Sequence, residues 1–187
     1  MSDDGTVKIL GISGSLRAGS VNSAALRAAV ELAPDGLRIE IAEIGDLPLY
    51  NDDVRAQGFP QAVQRLRAQI KAADGLLFAT PEYNYSIPGV LKNAIDWASR
   101  PPEQPFDGKP IAIMGASPGA LGTARAQYHL RQCFVFLNGH ILNRPEVMIS
   151  GAGGKFDAAG KLTDQATRDF LAGMLVAFKA WTLRMRG

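Results

Sequence analysis

The sequence predicts an α/β fold in which a parallel sheet carries helices on both faces. Three observations predict it. Apolar runs short enough to be strands, at residues 7–12, 75–80 and 109–116, alternate with longer stretches of helical period. The last two runs are continuous, as expected of strands buried on both sides. Each of the three runs empties into a turn rich in Gly, Ser, Pro or Asn, where an open parallel sheet gathers its ligand-binding loops.

Val7, Ile9, Leu10 and Ile12 make the first strand, and with the loop that follows it reads VKILGISGSLRAGSVN, residues 7–22. Small residues let backbone N–H groups come close to a ligand. Ser13, Ser15 and Ser20 add hydroxyls, and the start of the next helix concentrates partial positive charge where a phosphate can sit. Arg17 supplies the full counter-charge. No Lys lies between Lys8 and Lys71, so the Gly-Lys-Ser/Thr ending of a triphosphate-binding loop is missing. Gly11, Gly14 and Gly19 do not follow the G-x-G-x-x-G spacing of a dinucleotide turn. A single terminal phosphate is the expected occupant, against the plainer reading of a Ser/Gly-rich turn.

Residues 23–32, rich in Ala and Leu, form the first helix and stop at Pro34-Asp35-Gly36. Leu37, Ile39 and Ile41 alternate with Arg38, Glu40 and Ala42, the period of a strand at a sheet edge. Residues 45–58 have no clear period and read as a long loop. Pro60 offers the first helical position before Val63, Leu66 and Ile70. Residues 75–80 are the third strand, 81–88 (PEYNYSIP) a polar and aromatic turn, and Pro88 starts a helix whose apolar side includes Leu91, Ala94, Ile95 and Ala98. A Pro-rich surface loop precedes the fourth strand at 109–116, and residues 117–122 form a third Gly-rich turn. Residues 124–137 are helical in composition, 141–149 hold a strand interrupted around Pro145, and 151–160 are a Gly-rich loop. Thr163 with Asp164 caps a last helix through Phe170, Leu171, Leu175, Phe178 and Trp181.

Right-handed crossovers between such strands, with the second at an edge, give a five-stranded parallel sheet of order 2-1-3-4-5. That is a flavodoxin-like three-layer sandwich, expected as a single domain over residues 1–187. Its switch point lies between strands one and three, with strand four adjacent, so the three special loops converge there.

Composition narrows the function. A formal net charge of +2 with dispersed Lys and Arg argues against nucleic acid. Nowhere do 18 consecutive apolar residues occur, and the acidic start lacks the apolar core of a leader, so a soluble cytoplasmic protein with no membrane partner is expected. The single cysteine, Cys133, agrees with a reducing compartment and reads as a small core or interface residue. His129 and His140 lack metal-ligand spacing, and no metal is expected. Trp97 and Trp181 read as packing residues. Arg125, Tyr128 and Glu146 are polar groups in apolar segments, either solvated or paired across a subunit contact.

A phosphate in the first loop leaves the rest of its ligand across the second and third. Backbone N–H groups around residues 82–84 can donate to the edge of a flat heterocycle, Tyr83 and Tyr85 can pack near its plane, and Asn84 offers donor and acceptor. A flavin mononucleotide (FMN) fits; the plain alternative is a groove-filling turn.

At this point the residues carry a resemblance. GSLRAGSVN at 14–22, TPEYNYSIPGVLKNAIDW at 80–97, GKP at 108–110 and RAQYHLRQ at 125–132 resemble the NAD(P)H-dependent FMN reductases, in particular the branch with bacterial chromate and quinone reductases. The resemblance implies that Ser15, Arg17, Ser20 and Asn22, with Leu16 and Val21 beside them, hold the FMN phosphate. It implies that Pro81, Glu82, Tyr83, Asn84 and Tyr85 meet the isoalloxazine and that Ser117 closes the remaining side. It further implies ping-pong hydride transfer from NAD(P)H as co-substrate to FMN, then to a quinone, chromate or similar small electron acceptor, in a homodimer or homotetramer. The chemistry belongs to the flavin, so no side chain is nominated as catalytic, and Glu82 is expected to act through its backbone rather than its carboxylate. The preference between NADPH and NADH stays open, with Arg17, Arg55 and Arg100 as candidate readers of a 2′-phosphate. The rival readings are a flavodoxin-type electron carrier or sensor holding FMN without turnover, and an enzyme using another phosphate.

Overall fold

A computed structural model describes residues 5–186. The chain runs β1 (Val7–Ser13), α1 (Val21–Glu31), β2 (Leu37–Ala42), α2 (Asp52–Ala56), α3 (Gln61–Ala72), β3 (Gly75–Ala79), α4 (Gly89–Ala98), β4 (Pro110–Ala116), α5 (Ala124–Phe136), β5 (His140–Ile141), β6 (Val147–Ile149) and α6 (Gln165–Met185). All strand pairs are parallel. The order is β2-β1-β3-β4-β5, with β6 also on β4. β5 and β6 pair with successive stretches of β4, so together they are the one interrupted edge strand that the sequence predicts.

The strand pattern divides the core in two. Val7 and Ile9 of β1, Leu77 and Ala79 of β3, and Ala112 and Met114 of β4 meet α1 and α6 on one face. Leu10 and Ile12, Leu76 and Phe78, and Ile111 and Ile113 meet α3, α4 and α5 on the other. β3 and β4 are buried along their whole length while β2 alternates toward solvent, as continuous and alternating runs require.

Four boundaries differ from expectation, each for a local reason. α1 begins at Val21 rather than Ser23, because the Ser20 hydroxyl accepts from the Ser23 N–H and caps the helix two residues earlier. The 45–58 stretch contains α2, capped by Asn51 through the Asp53 N–H. Pro60 is the cap of α3 rather than its first residue, its ψ of 149° being extended. Asp164 caps α6 through the Thr167 N–H, whereas the Thr163 hydroxyl bonds the Lys155 carbonyl instead.

Candidate functional site

The three loops leave the sheet at one level, and each closes on its neighbour with its first N–H. Gly14 donates to the Ala79 carbonyl at 2.8 Å, Thr80 to Met114 at 2.9 Å and Ser117 to Ile149 at 3.0 Å. The ladder thus continues one step past the strands before the chain turns away. Gly14 lets the first loop pass tightly under the second: a Cβ there would lie 3.0–3.1 Å from Pro81, Pro88 and Leu91 side-chain atoms.

The first loop is closed by its own residues. The Ser20 N–H donates to the Arg17 carbonyl at 3.0 Å, the Ser15 N–H to Ser13 Oγ, and the Arg17 N–H to Ser15 Oγ, both at 3.4 Å. Ser13 Oγ and Ser23 Oγ lie 2.8 Å apart, tying the strand end to the helix. What remains are the N–H groups of Leu16, Ala18, Gly19, Val21 and Asn22, which donate to nothing among the described residues. Donors in excess of acceptors at a helix N-terminus suit an anion, so the loop fits a phosphate. The Arg17 side chain is exposed and folds back, Nη1 lying 3.3 Å from where a Gly19 Cβ would be. Clefts of about 280 Å³, along Ser13, Ser15, Leu16 and β2, and about 360 Å³, along residues 18–21 and 156–160, flank the loop.

The side chain of Asn22 is engaged within the fold. It is buried, its Nδ2 donates to the Ala116 carbonyl at 2.9 Å, and its Oδ1 accepts from the Ala116 N–H at 2.8 Å. Both ends of the amide are spent fastening α1 to the end of β4. Only the backbone N–H of Asn22 remains for a ligand. Ser117 is likewise a brace, since its hydroxyl accepts from Gly119 and its carbonyl from Ala152.

The second loop is a tight turn. The Tyr83 N–H donates to the Ser86 carbonyl at 3.2 Å and the Ser86 N–H returns to Tyr83 at 3.0 Å. Asn84 and Tyr85, the central pair, have φ of 51° and 66°, the signature of a type I′ turn. Asn tolerates that region; an aromatic residue there is strained, and such strain gathers at functional sites. Because the turn consumes the Tyr83 N–H, the donors left for a heterocycle edge are those of Glu82, Asn84 and Tyr85. Both tyrosine rings are more than half exposed.

Beside the backbone role expected of Glu82, its carboxylate has a structural task. It accepts from the Arg125 N–H at 3.0 Å and the Ala126 N–H at 3.1 Å, and Arg125 Nη1 lies 3.2 Å from its other oxygen. Thr123, the cap residue of α5, makes no capping bond with its side chain, so Glu82 satisfies that helix's first donors from across the fold. The Arg125 guanidinium carbon also stands 3.8 Å from the centroid of the Tyr85 ring, and Ser86 Oγ lies 3.1 Å from His129 Nδ1. Arg125 and His129 thereby hold the strained turn. The sequence carried no signal for this, since the partners lie some forty positions apart.

Of the other polar groups, Tyr128 donates to Glu146 at 3.2 Å, so it and Arg125 both find partners within the chain. That bond to Glu146 pushes the Tyr128 phenol up. Arg55 is paired with Asp52 and Arg100 with Ser99, while Arg17 has no ionic partner among the described residues. Cys133 is half-buried and burial pushes its thiol up, away from the reactive thiolate. Trp97 is fully buried and its Nε1 donates to the Pro48 carbonyl at 2.8 Å, as a packing residue would. No helix among the described residues is long and apolar enough to cross a membrane.

Comparison with known proteins follows the same lines. A family model described as NADPH-dependent FMN reductase matches residues 7–154, a span that holds all three loops. The chain is 65% identical over 187 residues to an NAD(P)H-dependent FMN reductase of Pseudomonas aeruginosa, covering all of both chains. It is 45% identical over 183 residues to a quinone reductase of Escherichia coli, covering 96% of this chain and 97% of that one. Among solved structures, FerB, a flavoenzyme NAD(P)H:(acceptor) oxidoreductase of Paracoccus denitrificans, matches with a TM-score of 0.88 and 39% identity over 96% of this chain and 98% of that one.

Proposed function

The chain belongs to the NADPH-dependent FMN reductase family, and on that premise we propose that it is an FMN-dependent oxidoreductase taking hydride from NAD(P)H and reducing a quinone, chromate or similar small acceptor. The observation that carries the reading is the convergence of the loops after β1, β3 and β4 within the matched span, one rich in unpaired N–H donors and one a strained aromatic turn.

FMN, when bound, supplies the hydride acceptor and the two-electron store. The protein binds and orients. In this reading the N–H groups of Leu16, Ala18, Gly19, Val21 and Asn22, with the hydroxyls of Ser15 and Ser20 and the Arg17 charge, hold the phosphate. Pro81, Glu82 and Asn84 present backbone to the ring edge, Tyr83 and Tyr85 flank it, and the segment from Ser117 closes the far side. Glu82 moves no proton, because both of its oxygens are engaged by α5. NAD(P)H and the acceptor take turns at the same open face, so release of NAD(P)+ precedes acceptor entry. The reading includes a homodimer or homotetramer in the cytoplasm, supported by the resemblance and by the single, half-buried cysteine.

The test is an anaerobic visible spectrum of the purified protein before and after stoichiometric NADPH. A flavin band that bleaches promptly to the two-electron reduced form is the expected outcome. A flavin that stays oxidised would favour a carrier or sensor, and failure to take up FMN would overturn the reading.

A further inference from the structure

α1 and the chain after β6 enclose a groove that starts at the first and third loops. The Ala152 N–H donates to the Ser117 carbonyl at 3.1 Å and the Gly151 N–H to Gly119 at 3.3 Å, so the wall at residues 152–160 hangs from the third loop. The cleft of about 360 Å³ beside residues 18–21 runs on into a second of about 210 Å³, the two sharing Ala24, Arg27, Ala159 and Gly160. Its lining is mostly Ala and Gly, with one aromatic side chain, Phe156, partly buried against the core.

The two ends of the groove differ in their polar groups. Near the loops, Asp157 Oδ1 accepts from the Ala159 N–H at 2.9 Å and the Lys161 N–H at 2.8 Å, which leaves Oδ2 as a free acceptor. At the far end stand Arg27 and Lys161, both exposed. Neither side chain has an ion pair or a hydrogen bond among the described residues. Glu31, one turn beyond Arg27, lies 3.7 Å from Arg168 instead and does not neutralise them. Gly160, with φ of 77°, gives the guanidinium its place, since a Cβ there would lie 3.2 Å from Arg27 Nη2.

FMN carries one phosphate, and the cradle with Arg17 accounts for it. Arg27 and Lys161 are a second pair of cations, separated from the cradle by a groove with an aromatic side. The ligand that matches is a nucleotide with its own phosphate at the far end. Resting on the reading that NAD(P)H is the hydride donor, we propose that this groove holds the adenosine half of NADPH. The base packs on Phe156 with its amine toward Asp157, and the 2′-phosphate lies between Arg27 and Lys161. NADH lacks that phosphate and leaves both cations unused, so NADPH is the preferred donor.

The test is calorimetry of 2′,5′-ADP with the FMN-loaded protein, beside steady-state kinetics with each nicotinamide. The wild type is expected to bind 2′,5′-ADP about twentyfold more tightly than 5′-AMP. Arg27→Ala and Lys161→Ala should each weaken 2′,5′-ADP about fivefold and together about twentyfold, with 5′-AMP unmoved. The same variants should raise KM for NADPH and leave KM for NADH and both kcat values unchanged, with circular dichroism and FMN affinity as controls. Equal affinity for 2′,5′-ADP and 5′-AMP, a double variant that binds 2′,5′-ADP as the wild type does, or an equal rise in KM for both nicotinamides would each overturn the proposal. Calorimetry needs no turnover, which separates the two readings. A flavin that neither nicotinamide reduces would overturn the proposed activity, while binding that follows Arg27 and Lys161 would still establish the 2′-phosphate site.

Discussion

The first and second loops of the site are held by opposite means. The loop at residues 14–22 is anchored at its two ends to the sheet, by Gly14 on Ala79 and Asn22 on Ala116, but between them it is closed by its neighbours: Ser13, Ser15, Arg17, Ser20 and Ser23 satisfy one another, and the unpaired N–H groups are what is left. The turn at residues 83–86 carries two positive-φ residues other than glycine and is held from α5, by Arg125 and Ala126 on Glu82, by Arg125 on Tyr85 and by His129 on Ser86. A cradle built from neighbours folds with its helix; a strained turn needs distant support already in place. Damage to α5 should therefore reach the second loop and spare the first.

The largest effect that would break this contrast is at the junction under the second loop. A Cβ on Gly115 would sit 1.9 Å from Thr123 Oγ1 and 2.4 Å from the Thr80 carbonyl oxygen, so Gly115→Ala must move either β3's end or α5's start. A loss of about 3 kcal/mol in urea unfolding is expected. A loss well under 1 kcal/mol would mean that the support from α5 is not rigid.

Next comes Glu82. Glu82→Ala strips the first N–H groups of α5 and the Arg125 guanidinium of their acceptor and should cost about 2 kcal/mol. Glu82→Gln, which keeps an acceptor without the charge, should cost about half as much. In Glu82→Gln the rate of flavin reduction by NADPH should persist; a protein that keeps FMN but is no longer reduced would give the carboxylate a part in the chemistry.

Ser20→Ala tests the local side of the contrast. Loss of the cap on α1 should lower stability by about 1 kcal/mol and weaken FMN binding, while the NMR resonances of the Tyr85 ring stay unchanged. The smallest effect is expected at Asn84→Gly. A type I′ turn accepts either residue, so the thermal midpoint should shift by no more than about 0.5 kcal/mol allows. A larger loss would show that the Asn84 side chain, and not only its backbone, holds the turn.

What the sequence determined by itself follows from short-range physics. Continuous apolar runs at β3 and β4 and the alternating run at β2 state how many faces of each strand are buried, and with short βα connections they leave the order 2-1-3-4-5. The phosphate cradle was legible because its donors, hydroxyls and helix start are consecutive in the chain. Tertiary structure decided the rest. Asn22, which reads as a ligand contact, faces Ala116 because its side chain emerges on the buried side of α1's first turn, where the end of β4 needs both a donor and an acceptor. Glu82 became a remote cap for α5 because only the folded sheet brings the end of β3 beside that helix's unsatisfied N–H groups. Such pairings depend on which strand lies next to which, information that neither period nor local composition carries.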